Sequence, residues 1–381
     1  NDIRKYLEHR VVMVTGAGGS IRQELCRQIA KFQPLRLLLV EKSEYALFQI
    51  EQDMTELGFK DLIEPLIADI LDTQRMEYIF SKFSPSVVFH AAAHKHVPMM
   101  ENQPTEALKN NTYGTARLAD LARLHHVSRF ILISTDKAIN PTNVMGASKR
   151  LAELYLQALQ ENGNNATRFI AVRFGNVLGS SGSVIPIFKR QIAAGGPVKV
   201  THPEINRYFM TIPEAVGLVL QSGAQGKGGE IFVLDMGKPV KIVDLARTLI
   251  ELSGLEPDRD IEILFTGLRP GEKLFEELRH VGENLAATSH PKILRLKAVP
   301  PPLSKVLAAL DELDASLYTS DIKTIKLLLK KTIPEYQPYL GRERDNSWSS
   351  TSSSRAHNSK EYQSGMIPVN GQDQVVHAAV M

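Results

Sequence analysis

The chain has 381 residues, 43% hydrophobic and 23% charged, a globular composition that excludes a wholly disordered protein. Its 45 Lys and Arg against 42 Asp and Glu leave a formal charge of +3, which argues against bulk electrostatic binding to nucleic acid and leaves only a local patch open. The one cysteine, Cys26, excludes an intrachain disulfide and a Cys-based zinc site and fits a reducing, cytoplasmic compartment. No apolar run is long enough to span a membrane, and Asn1–Arg10 lacks the apolar centre of a signal peptide.

Val11–Val14 reads as a first strand, leading into Gly16–Gly19 and an amphipathic helix from Glu24 to Ala30. Leu37–Val40, Leu66–Ala68, Val87–His90 and Phe130–Ser134 follow as strands separated by helical segments, and Phe169–Arg173 and Ile231–Leu234 are two more. Short strands alternating with helices predict an α/β fold with a parallel sheet covered on both faces. From Asn176 to about Arg207 the chain is rich in Gly, Pro and Ser, as expected where it leaves the sheet to build a site. Val240–Leu252 and Ser304–Leu313 read as surface helices, the latter after a rigid spacer at Pro300–Pro302. The expected organisation is a cofactor domain over 1–175, rejoined at about 209–237, and a smaller substrate domain over 176–345. A Ser-rich tail, 346–381, is too poor in apolar residues to order.

Three segments carry chemistry. In Val14–Ile21, Gly16, Gly18 and Gly19 with Ser20 and Ile21 link a strand to a helix. Glycines there admit a pyrophosphate, whose charge the helix N-terminus meets. Glu41 ends the second strand, where an acid can accept hydrogen bonds from an adenosine ribose, so NAD is preferred over NADP, although Lys42 beside it partly offsets the repulsion of a 2′-phosphate. The alternative is a structural turn plus a surface glutamate. The third glycine of the usual spacing is replaced by Arg22, which must either intrude on the crevice or turn outward. His90-Ala91-Ala92-Ala93-His94-Lys95-His96 has no metal-ligand spacing, so no metal is expected. Ala91 and Ala92 suit close passage of a cofactor, and His94 to His96 suit a pocket wall. Ser134-Thr135-Asp136-Lys137 ends the fifth strand and sets an acid beside an amine, although Ser-Thr-Asp also serves to cap a helix. Met145 and Lys149 share one helix face.

Together these segments resemble the extended short-chain dehydrogenase/reductase superfamily: the Thr-Gly-x-x-Gly start, Asp69-Ile70, His-Ala-Ala-Ala, Asn111 in Asn-Asn-x-x-Gly-Thr, and Ser-Thr-Asp-Lys. The strings Asn140–Lys149, Val172–Gly179, Arg207–Ile212 and Thr266–Lys273 resemble in particular the bacterial UDP-N-acetylglucosamine 4,6-dehydratases of surface-polysaccharide and protein-glycan synthesis. Met145 with Lys149 replaces the usual Tyr-x-x-x-Lys and looks like the membrane-anchored type. Asn1–Leu7 then resembles a linker after a membrane region, at the inner face of a bacterial inner membrane.

The resemblance implies a Rossmann-like doubly wound sheet, a homo-oligomer, NAD as cofactor and UDP-N-acetylglucosamine as substrate. It assigns Lys137 as the base at C5, Asp136 as the acid at C6, Thr135 to the C4 hydroxyl and Met145 to packing on the sugar. Lys137 must then be a neutral amine, so a depressed pKa is expected. Lys149, Asp69, Ile70, Lys95, Asn111 and Ser134 join the glycines, Glu41 and the alanines on the cofactor. His94, Lys95, Asn176, Arg207, Arg269 and Glu272 are assigned to the nucleotide sugar, Arg207 to its diphosphate. Two rival readings stand beside this one: a UDP-sugar epimerase of the same fold, and a nucleotide-binding homologue whose catalysis Arg22 has impaired.

Overall fold

Strand residues that alternate between two apolar faces build the centre of the molecule. Met13, Leu38, Val40, Val88, Phe130 and Leu132 point into one core, while Val12, Val14, Leu37, Leu39, Phe89 and Ile131 point into the other. The computed structural model describes residues 2–163, 166–180, 182–277, 284–297 and 299–341. The expected Ser-rich tail lies outside the described residues.

The strands are β1 (Val11–Thr15), β2 (Arg36–Glu41), β3 (Ile63–Ile67), β4 (Val87–His90), β5 (Arg129–Ile133), β6 (Arg168–Arg173), β7 (Ile231–Leu234), β8 (Asn284–Ala287) and β9 (Ile293–Lys297). They form a nine-stranded sheet in the order β8-β9-β7-β6-β5-β4-β1-β2-β3. The seven strands foreseen from the sequence are parallel, with Val12 level with Leu37 on one side and with Val87 on the other. β9 and β8 extend the sheet antiparallel beyond β7 and were not foreseen, because an edge hairpin needs a sheet already in place to receive it. The winding reverses between β1 and β4, which opens a crevice beyond their carboxyl ends.

Two helices matter most to that crevice. The first, α1 (Ser20–Ala30), starts directly from the glycine turn and buries Leu25, Cys26 and Ile29. The second, α2 (Val144–Glu161), carries Met145 and Lys149. Its first turn is held by two side-chain acceptors. Asn143 Oδ1 accepts from the Gly146 amide at 2.8 Å, and Glu101 Oε1 accepts from the Val144 amide at 2.6 Å. Glu101 is in turn paired with buried Lys326 at 2.6 Å, from the helix Ile322–Thr332.

A third, smaller core gathers Phe188, Ile192, Val198, Ile205, Ala246, Ile250 and Ile263 within the compact unit Asn1–Leu340. Its helix Val184–Ala193 lies in the stretch that composition marked as irregular. Gly, Pro and Ser flank the helix, and its apolar spacing is short. No helix among the described residues is long and apolar enough to cross a membrane.

Candidate active site

The turn after β1 places Gly16 at φ 68°, a conformation that suits glycine, with Ala92 so close that a Cβ would lie 2.9 Å from its Cα. Arg22 answers the question its position raises: it turns inward. Its Nη1 donates to Gly16 O at 3.0 Å, and its guanidinium covers Gly19, where an added Cβ would stand 2.7 Å from Nη1. Burial lowers its pKa, opposed in part by Glu41. Gly16, Arg22, Glu41, Lys42, Ala68, Asp69, Ile70, Ala92, Ala93, His94 and Asn110 line one cavity beyond the strand ends. Glu41 closes it, accepting from the Gly18 amide at 3.2 Å and the Ser43 amide at 3.0 Å. Gly18 packs against Ala46 and, with Ser20, lines a separate surface cleft that also includes Phe48 and Gln52, while Ile21 packs against the core beneath α1.

Two assigned residues are held by the fold in this half. Asn111, assigned to the cofactor, has its side chain bonded within the protein. Its Nδ2 donates to His94 O and Ser148 Oγ, both at 3.0 Å, and its Oδ1 accepts from His94 N at 2.8 Å and Asn110 Nδ2 at 3.1 Å. That exhausts an amide's capacity, so Asn111 clamps the loop after β4. It does so from a π-helical turn, Leu108–Tyr113. His94, expected at the sugar, is held by that clamp in the cavity lined by Gly16 and Glu41; burial and nearby Lys42 lower its pKa. His90 is also committed: Nδ1 lies 2.8 Å from Thr15 Oγ1 and Nε2 2.9 Å from Thr115 Oγ1. Because Thr115 donates to Asn111 O, Nε2 carries the proton and Nδ1 accepts. Lys95, from the same loop, is lowered by burial and by Arg22. Ala91 is fixed by its amide, which donates to Thr15 Oγ1 at 3.2 Å.

On α2, Lys149 is buried and its Nζ has no hydrogen-bond partner. Burial pushes it down to about 8, with Arg22 adding to the effect and Glu153 opposing it. Glu153 itself takes Ser134 Oγ at 2.6 Å and Arg173 at 2.7 Å, so the Ser134 hydroxyl supports the floor of the site. Met145 is buried in the apolar core beside the site.

The second half begins at the end of β5. Gly146 lets the first turn of α2 press on the loop so closely that a Cβ would lie 2.0 Å from Lys137 O. Asp136 is 1% exposed. Its Oδ1 accepts from Thr135 Oγ1 and from Lys137 Nζ, each at 3.0 Å, and its Oδ2 is buried without a partner. Lys137 Nζ also reaches Asn176 Oδ1 at 3.5 Å and Glu276 Oε1 at 3.4 Å. Arg207 lies 3.6 Å from both Glu272 and Glu276, and Glu272 pairs with exposed Arg269 at 3.0 Å. The fold thus brings Thr135, Asp136, Lys137, Asn176, Arg207 and Glu272 together, with Arg269 at the rim. It adds Glu276, which the sequence reading missed because it lies just beyond the Thr266–Lys273 string.

The expected depression of Lys137 is overturned. Burial by itself would lower its pKa, but Asp136 and Glu276 outweigh burial and the charge of Arg207, so its pKa is raised. Lys137 rests as an ammonium.

A family model described as "Polysaccharide biosynthesis protein" matches residues 12–298. The capsular polysaccharide biosynthesis protein CapD of Staphylococcus aureus is 54% identical over 77% of this chain, which spans about half (49%) of that relative's length. A UDP-N-acetylglucosamine 4,6-dehydratase (inverting) of Campylobacter jejuni is 32% identical over 70% of this chain and 76% of its own length. UDP-glucose 4-epimerases are also among the relatives. Among solved structures, Pen from Bacillus thuringiensis superimposes with a TM-score of 0.71 at 32% identity, covering 78% of this chain and 91% of that one.

Proposed function

The chain belongs to the polysaccharide biosynthesis protein family, and from that premise we propose that it removes water from UDP-N-acetylglucosamine with NAD as cofactor, giving the UDP-4-keto-6-deoxy sugar. The observation that carries the reading is the pair of buried Asp136 and half-buried Lys137, 3.0 Å apart at the carboxyl end of β5 and facing Asn176 and Arg207. An epimerase, which returns the C4 hydride to C4, has no use for an acid and a base so placed.

The crevice residues suit a dinucleotide: glycines that leave no room for a Cβ, Glu41 at the ribose position, and a buried Lys149 amine without a partner. Bound NAD would supply removal of the C4 hydride and its return at C6 after water has left, with a proton restored at C5, and the C4 ketone makes the C5 hydrogen acidic. The remaining work falls to side chains. Passing one proton along the bond from Lys137 Nζ to Asp136 Oδ1 gives a neutral amine and a neutral acid with no change in net charge. Lys137 then accepts the C5 proton while Asp136 donates to the departing C6 hydroxyl. Thr135 Oγ1, already bonded to Asp136, is placed to pass on the C4 hydroxyl proton. Lys149 would hold the nicotinamide ribose and Met145 would pack on the sugar. Arg207 would exchange its carboxylate partners for the substrate diphosphate.

The test is mass spectrometry of UDP-N-acetylglucosamine after incubation with the protein and NAD. Loss of one water is expected. An unchanged mass with altered stereochemistry would indicate an epimerase, and an unchanged sugar would leave nucleotide binding alone.

A further inference from the structure

Glu276 is a buried carboxylate that the proposed reaction does not use. Its side chain is 3% exposed, Oε1 lies 3.4 Å from Lys137 Nζ and 3.6 Å from Arg207 Nε, and Oε2 is buried without a hydrogen-bond partner. Two cations, Lys137 and Arg207, face this carboxylate and offset the cost of its burial. We propose that Glu276 is a positioning residue that fixes the charge of Lys137, holding it as an ammonium against Asp136, and that it couples this charge to Arg207, the proposed diphosphate ligand.

The charges around Lys137 are Asp136 from its own loop, Glu276 from the segment after Gly271, and Arg207 from the short strand Asn206–Arg207. Two anions and one cation therefore surround it, and removing either anion tips it toward the amine. Asp136 is itself a proposed acid, so its charge cannot be adjusted without changing the chemistry. Glu276 pairs with Lys137 Nζ at 3.4 Å but is not itself assigned to exchange a proton with the sugar, so it can set the resting state without replacing either member of the reacting pair. It also makes Lys137 and Arg207 share one counter-ion. Any phosphate that recruits Arg207 weakens half of that arrangement. The direction of the Lys137 shift agrees with this geometry, since Asp136 and Glu276 together overcome burial.

This inference rests on the dehydratase reading for its purpose but not for its test. Competitive acetylation with acetic anhydride, read at Lys137 by peptide mass spectrometry across pH, reports the free amine directly and needs no turnover. In the wild type, Lys137 should reach half-labelling at a higher pH than the exposed lysines of the same chain. Glu276→Gln should move that point down by about one pH unit or more, the usual effect of an opposite charge at this range. Glu276→Asp, which keeps the charge, should stay near wild type.

An unmoved Lys137 in Glu276→Gln, or an equal shift in Glu276→Asp, overturns the proposal by showing that packing and not charge is at work. If Glu276→Gln does not fold, a wild-type Lys137 that labels like exposed lysines or more readily overturns it alone. Failure of the dehydratase reading shows up separately, as no loss of water from the sugar nucleotide.

Discussion

The two halves of the crevice handle positive charge in opposite ways. On the side of the glycine turn, Arg22, Lys95 and Lys149 are all pulled below their ordinary values, first by burial; Arg22 further lowers the two lysines. Glu41 and Glu153 oppose this only in part. At the end of β5, Asp136, Glu272 and Glu276 face Lys137 and Arg207, and Lys137 is raised. The first half is short of negative charge and gains by taking up an anion. The second already carries its own anions, so a diphosphate must displace them.

The largest effect should come from the self-neutralised half. Lys137→Ala or Asp136→Asn should lower dehydration by roughly 10²–10⁴-fold, the usual contribution of a positioned acid or base, while UDP binding persists. Turnover measured by loss of water, beside a calorimetric titration of UDP, checks both. Near-normal turnover would mean that the acid and base lie elsewhere.

In the anion-poor half, Lys149→Met should raise stability at pH 7 by on the order of 3 kcal/mol, because the folded pKa of about 8 lies below the ordinary 10.5. The sign follows from proton counts. Below pH 8 both states are protonated and the burial cost is in full force. Between 8 and 10.5 the unfolded chain binds more protons, so wild-type stability rises with pH and the advantage of the methionine fades. Melting temperatures at pH 7 and pH 10 decide this, and an equal gain at both would show that charge burial is not the cause.

A smaller effect is expected at Arg22. Its guanidinium occupies the glycine cradle and must give up its bond to Gly16 O, a neutral acceptor, before a pyrophosphate can approach the amides. Arg22→Gly should tighten NAD by about tenfold, or about 1.4 kcal/mol, in calorimetry. Equal or weaker binding would show that the arginine helps to neutralise the phosphates. The smallest change should come from Glu41→Gln, which removes the charge and keeps one acceptor oxygen where Glu41 uses two, one for the Gly18 amide and one for the Ser43 amide. The preference for NAD over NADP should narrow, and a comparison of the two cofactors by titration measures it.

Much of the site could be read from the sequence because it depends on short-range rules. A strand of Val and Leu followed by glycines, then an acid at the next strand end, specifies a turn and a crevice locally. Asp136 and Lys137 are neighbours whose place at the end of β5 follows from the apolar run before them. The partners of Asn111 and His94 were not legible, because which atoms they meet depends on how a π-helical turn packs under the loop after β4.

What the sequence by itself determined is therefore the parallel sheet, the glycine turn and the acid–amine pair, since periodicity and neighbouring residues decide these. Tertiary structure decided the inward turn of Arg22, the antiparallel edge and the charge of Lys137. Glu276 is far from Lys137 along the chain, and electrostatic energy depends on distance in space and on the loss of water around both groups. Neither quantity exists until the third core has folded and brought the segment after Gly271 over the end of β5.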